Sequence, residues 1–229
     1  VCAYDRMTIA TDISTDLVTP LGAYLQLREE GAAGFLLESV EQGRLGRYSL
    51  VGSGRRVVSF EQAEEEVSTG RAVVGYLGWD YVGKIEPTVP LPAERPVLPE
   101  SRFVLVDTLV RFDHVTGTAE VLSGDHREVA GRLARPLQAP VFQQATRHET
   151  YRFPAQAEHE TRVRRAKEHI RTGDAFQIVL SQRAERRTES SPVALYRALR
   201  RINPSPYLFL LELGDLALVG SSPETHVKL

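Results

Sequence analysis

Cysteine is nearly absent from this chain of 229 residues, in which Cys2 stands alone. A single cysteine excludes an intrachain disulfide, and such sparse use is typical of proteins that fold in a reducing compartment. No apolar run approaches the roughly 20 residues that a membrane-spanning helix needs. The first six residues also lack the apolar core of a signal peptide. The sequence therefore predicts a cytoplasmic protein with no membrane partner.

A strong net charge is missing as well. The formal net charge is -2 and the pI is about 6.4, which gives no electrostatic footprint for nucleic acid. Basic residues do cluster between positions 162 and 171, but glutamates lie among them, so this stretch indicates a solvated helix face. We predict no nucleic-acid partner. The composition, 42% apolar and 25% charged, is ordinary for a globular protein.

The periodicity of apolar residues predicts an α+β protein with mostly antiparallel sheets. We predict strands over residues 34–39, 47–52, 56–60, 73–76, 103–113 and 118–122, and a proline-punctuated strand that starts at residue 216 and leads to Glu224. We predict helices over 19–28, 127–133, 155–172 and 193–200. Several strands are separated by short glycine-containing connections, which favour hairpins over parallel crossovers. Thr19 and Pro20 are suited to begin the first helix, and Gly173 to end the third.

Two proline-rich or polar stretches divide the chain. Five prolines between residues 84 and 99 exclude a central strand there and predict a surface crossing. Residues 136–154 form a polar connector. We therefore predict a β-rich amino-terminal domain over residues 1–150 and a second, incomplete domain over 151–229.

A polar segment, GDAFQIVLSQR at residues 173–183, predicts a further strand. Alternation along a strand places Gln177 on one face and Phe176, Ile178 and Leu180 on the other. A glutamine among buried neighbours indicates either the wall of a pocket or a core amide that nearby backbone satisfies.

The carboxylate of Glu224 follows the last predicted strand. Pro223 fixes its own φ and restricts the residue before it to extended geometry, so the backbone that presents the Glu224 carboxyl is stiff. By itself this pattern is typical of a surface residue at a strand turn.

Five sequence blocks together carry a resemblance to a known family. They are FLLESV at 35–40 with GRYSLVG at 46–52, GYLGWDY at 75–81, DAFQIVLSQR at 174–183, LYRALRRINPSPYLFLLELGD at 195–215 and LVGSSPE at 218–224. In this order they resemble the chorismate-utilising enzymes, and the anthranilate synthase component I group in particular. The resemblance implies a layered antiparallel β-sandwich flanked by helices.

The resemblance also implies roles for two residues. In this family chorismate loses its C4 hydroxyl while a nucleophile adds at C2, and a hydroxyl leaves readily only when an acid protonates it. Glu224 matches the position of that acid. Gln177 stands where related isochorismate synthases carry a lysine that activates water. Because an amide accepts no proton at neutral pH, Gln177 suits an enzyme whose nucleophile is ammonia.

The function that the resemblance implies is that of the aminating subunit of anthranilate synthase. This subunit converts chorismate and ammonia to anthranilate and pyruvate in tryptophan biosynthesis, and a glutamine amidotransferase partner supplies the ammonia. Aminodeoxychorismate synthase component I is an alternative. NPSPY followed by the aliphatic Leu208 resembles anthranilate synthase more, although that group tends to have methionine at this position. Two other interpretations are a non-catalytic fragment that binds tryptophan or the partner subunit, and an unrelated β-rich binding domain.

A regulatory site is implied too, because tryptophan inhibits enzymes of this group. The residues that match its binding site are Leu37, Glu38, Ser39, Arg47, Pro206, Tyr207 and Leu208. Glu38 can accept hydrogen bonds from an ammonium group, and Ser39 offers a hydroxyl. On the pattern alone, the leucines are core residues and Tyr207 is a packing residue.

The family's catalytic domain extends beyond the LVGSSPE block. Its Mg²⁺-binding glutamates and catalytic histidine belong to blocks that this sequence does not contain, so we expect the Mg²⁺ ligands downstream of Leu229. We assign no metal-binding role to any of the six histidines. We expect the chain to be a fragment that does not turn over chorismate by itself.

Overall fold

Antiparallel strand pairing joins the two ends of this chain into one sheet. The computed structural model describes residues 13–29, 31–39, 46–91, 98–137, 146 and 148–225. Cys2, parts of the two predicted connectors and the residues after Thr225 lie outside these ranges. The strands are β1 (Ile13–Ser14), β2 (Ala33–Glu38), β3 (Tyr48–Gly54), β4 (Arg56–Val58), β5 (Val73–Leu77), β6 (Ser101–Leu105), β7 (Thr108–Asp113), β8 (Thr118–Ser123), β9 (Thr150–Phe153), β10 (Arg183–Arg186), β11 (Tyr207–Leu213) and β12 (Leu216–Ser222).

Six α-helices accompany these strands in the described part of the chain. They are α1 (Pro20–Leu27), α2 (Phe60–Ser68), α3 (Val82–Ile85), α4 (His126–Leu133), α5 (Gln156–Thr172) and α6 (Pro192–Ile202). The Thr19 side chain accepts a hydrogen bond from the Gly22 N–H, and Gly173 ends α5 with φ 85°, as the sequence predicts. Within the described ranges, no helix combines the length and the apolar character needed to cross a membrane.

All strand pairs are antiparallel. The largest sheet has seven strands in the order β1-β8-β7-β3-β2-β11-β12, a second sheet has the order β4-β6-β5, and β9 pairs with β10. The predicted α+β class with mostly antiparallel sheets is confirmed.

The two larger sheets form a layered sandwich. Phe35 and Leu211 on one face of the seven-stranded sheet pack against Val104 and Val106, which belong to or follow β6. The opposite face of this sheet is covered by α1 and α6, and α4 packs beside α1. On the outer face of the three-stranded sheet, Leu105 packs against Ala63 of α2. Helices therefore flank both sides of the sandwich, as predicted.

The chain divides by its contacts into two compact units, which differ from the predicted division in chain order. One unit comprises residues 1–140 and 192–229, and the other comprises residues 141–191. The predicted boundary near residue 150 falls inside the second unit. In that unit no residue of β9, α5 or β10 is buried. The predicted functional division, with a regulatory region before residue 150, stays a prediction.

The strand predicted over residues 173–183 is wrong for most of its length. Only Arg183 joins a strand, β10. On the predicted apolar face Phe176 is 94% exposed, whereas Ile178 and Leu180 are half-buried. Residues 176–182 pair with no strand in the described part of the chain. Without a neighbouring strand, the backbone N–H and C=O groups of an extended segment form no inter-strand hydrogen bonds, so alternation alone does not make a strand.

Two other predicted strands have wrong bounds. The strand predicted over 103–113 is two strands, β6 and β7, which belong to different sheets. The strand predicted over 56–60 ends at Val58, because Ser59 caps helix α2, which the sequence analysis missed. The Ser59 hydroxyl accepts from the Gln62 N–H and the Gln62 side chain accepts from the Ser59 N–H. This S-x-x-Q pattern is the capping-box signal that predicts such a helix.

Gly54 in the seven-stranded sheet lies against the backbone of β6 in the three-stranded sheet. A Cβ at this position would lie 1.9 Å from the carbonyl oxygen of Leu105 in β6. Because that oxygen belongs to the backbone, no side-chain rotation relieves the clash. Gly131 in α4 offers a contrast, since a Cβ there would meet no atom within 4 Å.

We expect Gly54→Ala to lower the free energy of unfolding by about 1–3 kcal/mol, the usual cost of overpacking a core. Gly131→Ala, the matched control, is expected to raise it by about 0.5–1 kcal/mol, because alanine is the better helix former. Urea unfolding followed by far-UV circular dichroism measures both. Equal stability of the two variants would contradict the close approach at Gly54.

Candidate functional site

Strands β2 and β11 bring together the two sequence blocks that were predicted to form a regulatory site. Leu208 lies opposite Glu38, and Phe209 lies opposite Leu37. The antiparallel register therefore places the end of the LLES block beside the start of β11, which carries the end of NPSPY. This convergence of residues 170 or more positions apart, such as 38 and 208, could not be read from spacing alone.

The Glu38 carboxylate is held by helix α6. Its Oε2 atom accepts from the Tyr196 hydroxyl at 2.5 Å and from Arg200 Nε at 3.0 Å, and its Oε1 atom accepts from Arg200 Nη2 at 3.3 Å. The Glu38 side chain is only 3% exposed. A buried carboxylate is tolerated only with such partners, because unpaired burial of a charge costs several kcal/mol.

Tyr196 and Arg200 are site residues that the sequence analysis missed. They are four positions apart on α6, so both lie on the same side of the helix. Tyr196 is fully buried, and its burial together with the neighbouring Glu38 carboxylate raises the pKa of its phenol. The hydroxyl therefore stays a donor to Glu38. The sequence signal for this pair was a tyrosine and an arginine four positions apart on an amphipathic helix.

Two buried hydroxyls lie at the same end of the strand pair as Glu38. Among the described residues, neither Ser39 Oγ nor Ser205 Oγ has a hydrogen-bond partner. Ser39 directly follows β2 and Ser205 precedes β11 by two residues, so both lie at the same end of the strand pair. A buried hydroxyl without a partner loses its hydration without compensation, which suits a position that a ligand completes.

The other predicted regulatory residues do not all join this cluster. Leu37 packs into the core that faces the three-stranded sheet, whereas Leu208 and Glu38 alternate onto the helix-covered face. Pro206 is half-buried at the entry to β11. The predicted residues thus share one end of the sheet, but they divide between its two faces.

Arg47 has a partner of its own. Its Nε and Nη2 atoms donate to Asp113 at 3.0 and 2.7 Å, and its guanidinium lies over the Tyr48 ring. These bonds, with the backbone N–H groups of Val115 and Thr116, lower the pKa of Asp113 to about 2. The ion pair holds Arg47 at the end of β3.

Glu224, the predicted catalytic acid, is exposed just beyond the end of β12. Tyr207 pairs with Ser222, and the Tyr207 hydroxyl hydrogen bonds to the Thr225 hydroxyl. The Ser222 hydroxyl donates to the Glu224 carbonyl at 3.1 Å. The LVGSSPE block therefore ends beside NPSPY, so the predicted catalytic and regulatory blocks are neighbours at one end of the sheet.

Gln177 belongs to the second unit and is exposed. Gln177 is therefore not a buried core amide, and it does not lie in a wall of buried neighbours. Its predicted role therefore depends on chemistry alone and stays a prediction.

The described residues offer no cluster of three or more His, Cys, Asp or Glu side chains that could hold a metal ion. These residues do not fit a Mg²⁺ site. That its ligands follow Leu229 stays a prediction.

Comparison with known proteins identifies the family to which this chain belongs. The family model for chorismate binding enzymes matches residues 29–229. The chain is 35% identical to the probable anthranilate synthase component 1 of Schizosaccharomyces pombe, over 98% of this chain and 54% of that protein. It is also 35% identical to anthranilate synthase component 1 of Thermus thermophilus, over 93% of this chain and 55% of that protein. The chain spans about half the length of these relatives.

Solved structures show the same fold. Anthranilate synthase component I from Streptococcus pneumoniae superposes with a TM-score of 0.60 at 22% identity, covering 95% of this chain and 58% of that one. The menaquinone-specific isochorismate synthase of Escherichia coli gives a TM-score of 0.54 at 15% identity, covering 94% and 50%.

We expect Arg47→Gln to raise the pKa of Asp113 from about 2 toward the ordinary value, because the largest cause of the depression is removed. The depressed pKa stabilises the fold at neutral pH, and this stabilisation is lost as pH falls through the folded value. Carboxyl carbon shifts in an NMR titration measure the change. Arg111→Gln, which breaks the ion pair with Glu120 instead, is the control. An unchanged Asp113 titration in Arg47→Gln would contradict the assignment.

Proposed function

The chain belongs to the family of chorismate binding enzymes, and from this premise we propose that it is part of the aminating subunit of an anthranilate synthase. The subunit would convert chorismate and ammonia to anthranilate and pyruvate, with ammonia from a glutamine amidotransferase partner, and tryptophan would inhibit it. The observation that carries the proposal is the pairing of β2 with β11, which joins the LLES and NPSPY blocks at a sheet end where two buried hydroxyls have no hydrogen-bond partner among the described residues. The names of the two relatives at 35% identity support the same reaction.

In this proposal Glu224 protonates the departing C4 hydroxyl of chorismate. Its exposure at the end of β12 leaves the carboxyl open to a substrate, and the Ser222 hydroxyl, which also accepts from the Glu224 N–H at 3.4 Å, orders the turn that carries it. General acid catalysis needs a positioned donor, and a stiff Ser-Pro-Glu turn positions one.

The nucleophile in this proposal is ammonia. Gln177 has an amide, which can donate and accept hydrogen bonds but cannot take a proton from water at neutral pH. A side chain of this kind can orient ammonia, which is already a nucleophile. Ammonia adds at C2 as the C4 hydroxyl leaves, and loss of pyruvate then gives the aromatic amine.

The regulatory part of the proposal assigns Glu38 and Ser39 to tryptophan. Glu38 would accept from the ammonium group, and the hydroxyl of Ser39 would donate to the ligand. Tyr207, at the same end of the sheet, supplies an aromatic surface for the indole. Coupling between such a site and the reaction is worth about 1–3 kcal/mol in typical allosteric proteins.

Isothermal titration of tryptophan into the 229-residue chain tests the regulatory site directly. We expect saturable binding at one site, and we expect Ser39→Phe to abolish it, because a benzyl group would fill the space beside the buried hydroxyl. Ser68→Phe, on the exposed surface of α2, is the control and should bind like the unchanged chain. Binding that survives Ser39→Phe would move the tryptophan site elsewhere.

Turnover is tested in a protein that joins this chain to the other half found in its relatives. We expect Glu224→Gln to lower the rate of chorismate conversion by about 10²–10⁴-fold, the usual contribution of a general acid. Glu64→Gln on α2 serves as the control. Anthranilate fluorescence measures product formation. Formation of aminodeoxychorismate without anthranilate would identify the alternative synthase. An unchanged rate in Glu224→Gln would remove Glu224 from the mechanism.

A further inference from the structure

A groove lies between helices α1 and α4, and its residues fall outside all of the sequence blocks that carry the family resemblance. Two adjoining cavities form it, of about 550 and 370 Å³. Both are lined by Gln26, Arg135, Pro136 and Leu137, which makes them one continuous groove. Volumes of this order are typical of sites for small molecules.

The larger cavity is mainly apolar. Ala130 and Leu133 of α4 line it, together with Val18 and Leu137. Leu17 lines it as well and is 97% exposed, and Leu137 is 45% exposed. Exposed apolar surface is stabilised when a ligand removes it from water, so this end of the groove suits an apolar body.

The smaller cavity is cationic. Arg28, Arg132 and Arg135 line it, and no carboxylate does so within the part of the chain that the structure describes. Arg132 donates to Glu29 at 2.8 Å, and Arg28 lies 4.0 Å from Glu212. Two of the three arginines therefore have a counter-ion already.

Arg135 is the guanidinium that remains for a ligand. It is exposed, and its side chain has no hydrogen-bond or ion-pair partner among the described residues. The end of α4 does not need it, because Gln26 Nε2 donates to the carbonyl oxygens of Leu133 and Arg135 at 3.4 and 2.5 Å. A free guanidinium matches a carboxylate, which it binds through two parallel N–H donors.

The charges along the groove also set the direction of the ligand. Asp16 lines the apolar cavity and would repel a carboxylate at that end. An acid with an apolar body therefore lies with its carboxylate toward Arg135 and its body toward Ala130 and Leu133. An amine would be repelled by the arginines, and a dicarboxylate would place its second charge among apolar side chains.

We propose that this groove binds a small monocarboxylate with an apolar body. Arg135 holds the carboxylate, and Ala130, Leu133 and Leu137 contact the body. The site uses none of the residues assigned to chorismate or tryptophan, so it goes beyond the proposed function and does not depend on it. Aromatic acids and fatty acids share the required chemistry.

Four probes added to the 229-residue chain test the proposal. Phenylacetate and octanoate carry the carboxylate on an aromatic and on an alkyl body, and phenylacetamide and octanamide are their neutral counterparts. We expect the acids to shift the NMR amide signals of Gly22, Gln26 and Leu133, and to bind at least about 10-fold more tightly than the amides. The tighter of the two acids identifies the body that the groove prefers.

Variants assign the two ends of the groove. Arg135→Gln should weaken both acids by about 10- to 100-fold, the contribution of a charge-assisted hydrogen bond, and leave the amides unchanged. Arg127→Gln, at an exposed position of α4 that does not line the groove, is the matched control. Ala130→Phe should abolish the binding of acids and amides alike, because a benzyl group would fill the apolar cavity.

Several results would overturn the proposal. They are an absence of shifts with both acids, equal affinity for acids and amides, and acid binding that survives Arg135→Gln. Dimerisation that Ala130→Phe abolishes would place a second copy of the chain in the groove instead. Should Arg135→Gln fail to fold, Arg135→Lys keeps the charge without the bidentate geometry, and an unchanged affinity for the acids would then overturn the proposal. Tryptophan binding should be the same in Arg135→Gln, so this proposal and the proposed function can fail separately.

Discussion

Strand β2 hydrogen bonds along one edge to β3 and along the other to β11. Through these two ladders the amino-terminal strands and the final hairpin become one sheet, which then presents a face to the helices and a face to the second sheet. Every candidate site residue in the first unit takes its place from this arrangement. Glu38 meets α6 because β11, which follows α6, lies beside β2. Gly220 leaves room for the Phe209 ring across the β11–β12 pair, where a Cβ would lie 2.0 Å from that ring.

At the end of the β2–β11 strand pair, the burial of each carboxylate determines how strongly it depends on its partners. The Glu38 carboxylate lies beneath the helix layer with Tyr196 and Arg200 as its hydrogen-bond partners, so the helix and the strand position each other. Arg47 and Asp113 make a comparable pair at the start of β3, where the arginine is about as exposed as Arg200 and the carboxylate is 15% exposed, compared with 3% for Glu38. The same sheet end thus holds two arginine–carboxylate pairs, and the Glu38 pair has the more deeply buried carboxylate.

Local signals in the sequence predicted much of the fold. Thr19 with Pro20 predicted the start of α1, Gly173 predicted the end of α5, and the strands predicted at 34–39, 47–52 and 118–122 correspond to β2, β3 and β8. The failures have a common cause, which is dependence on distant residues. The apolar run around Val106 reads as one strand, yet it divides because β6 and β7 pair in different sheets. Residues 176–182 alternate like a strand but have no neighbour among the described residues. Tyr196 and Arg200 were missed because their partner, Glu38, is far away in the chain.

The pairing of β2 with β11 also sets the order of events during synthesis. Glu38 and Arg200 are separated by 162 residues, and a ribosome that adds about 5–20 residues per second needs on the order of ten seconds or more to cover that distance. Throughout this interval one edge of β2 is without its partner and the Glu38 carboxylate is without its counter-ion. Exposed strand edges recruit other chains, so the nascent protein is most exposed to aggregation before α6 emerges. Chaperone protection of the β2 edge would matter most in that interval.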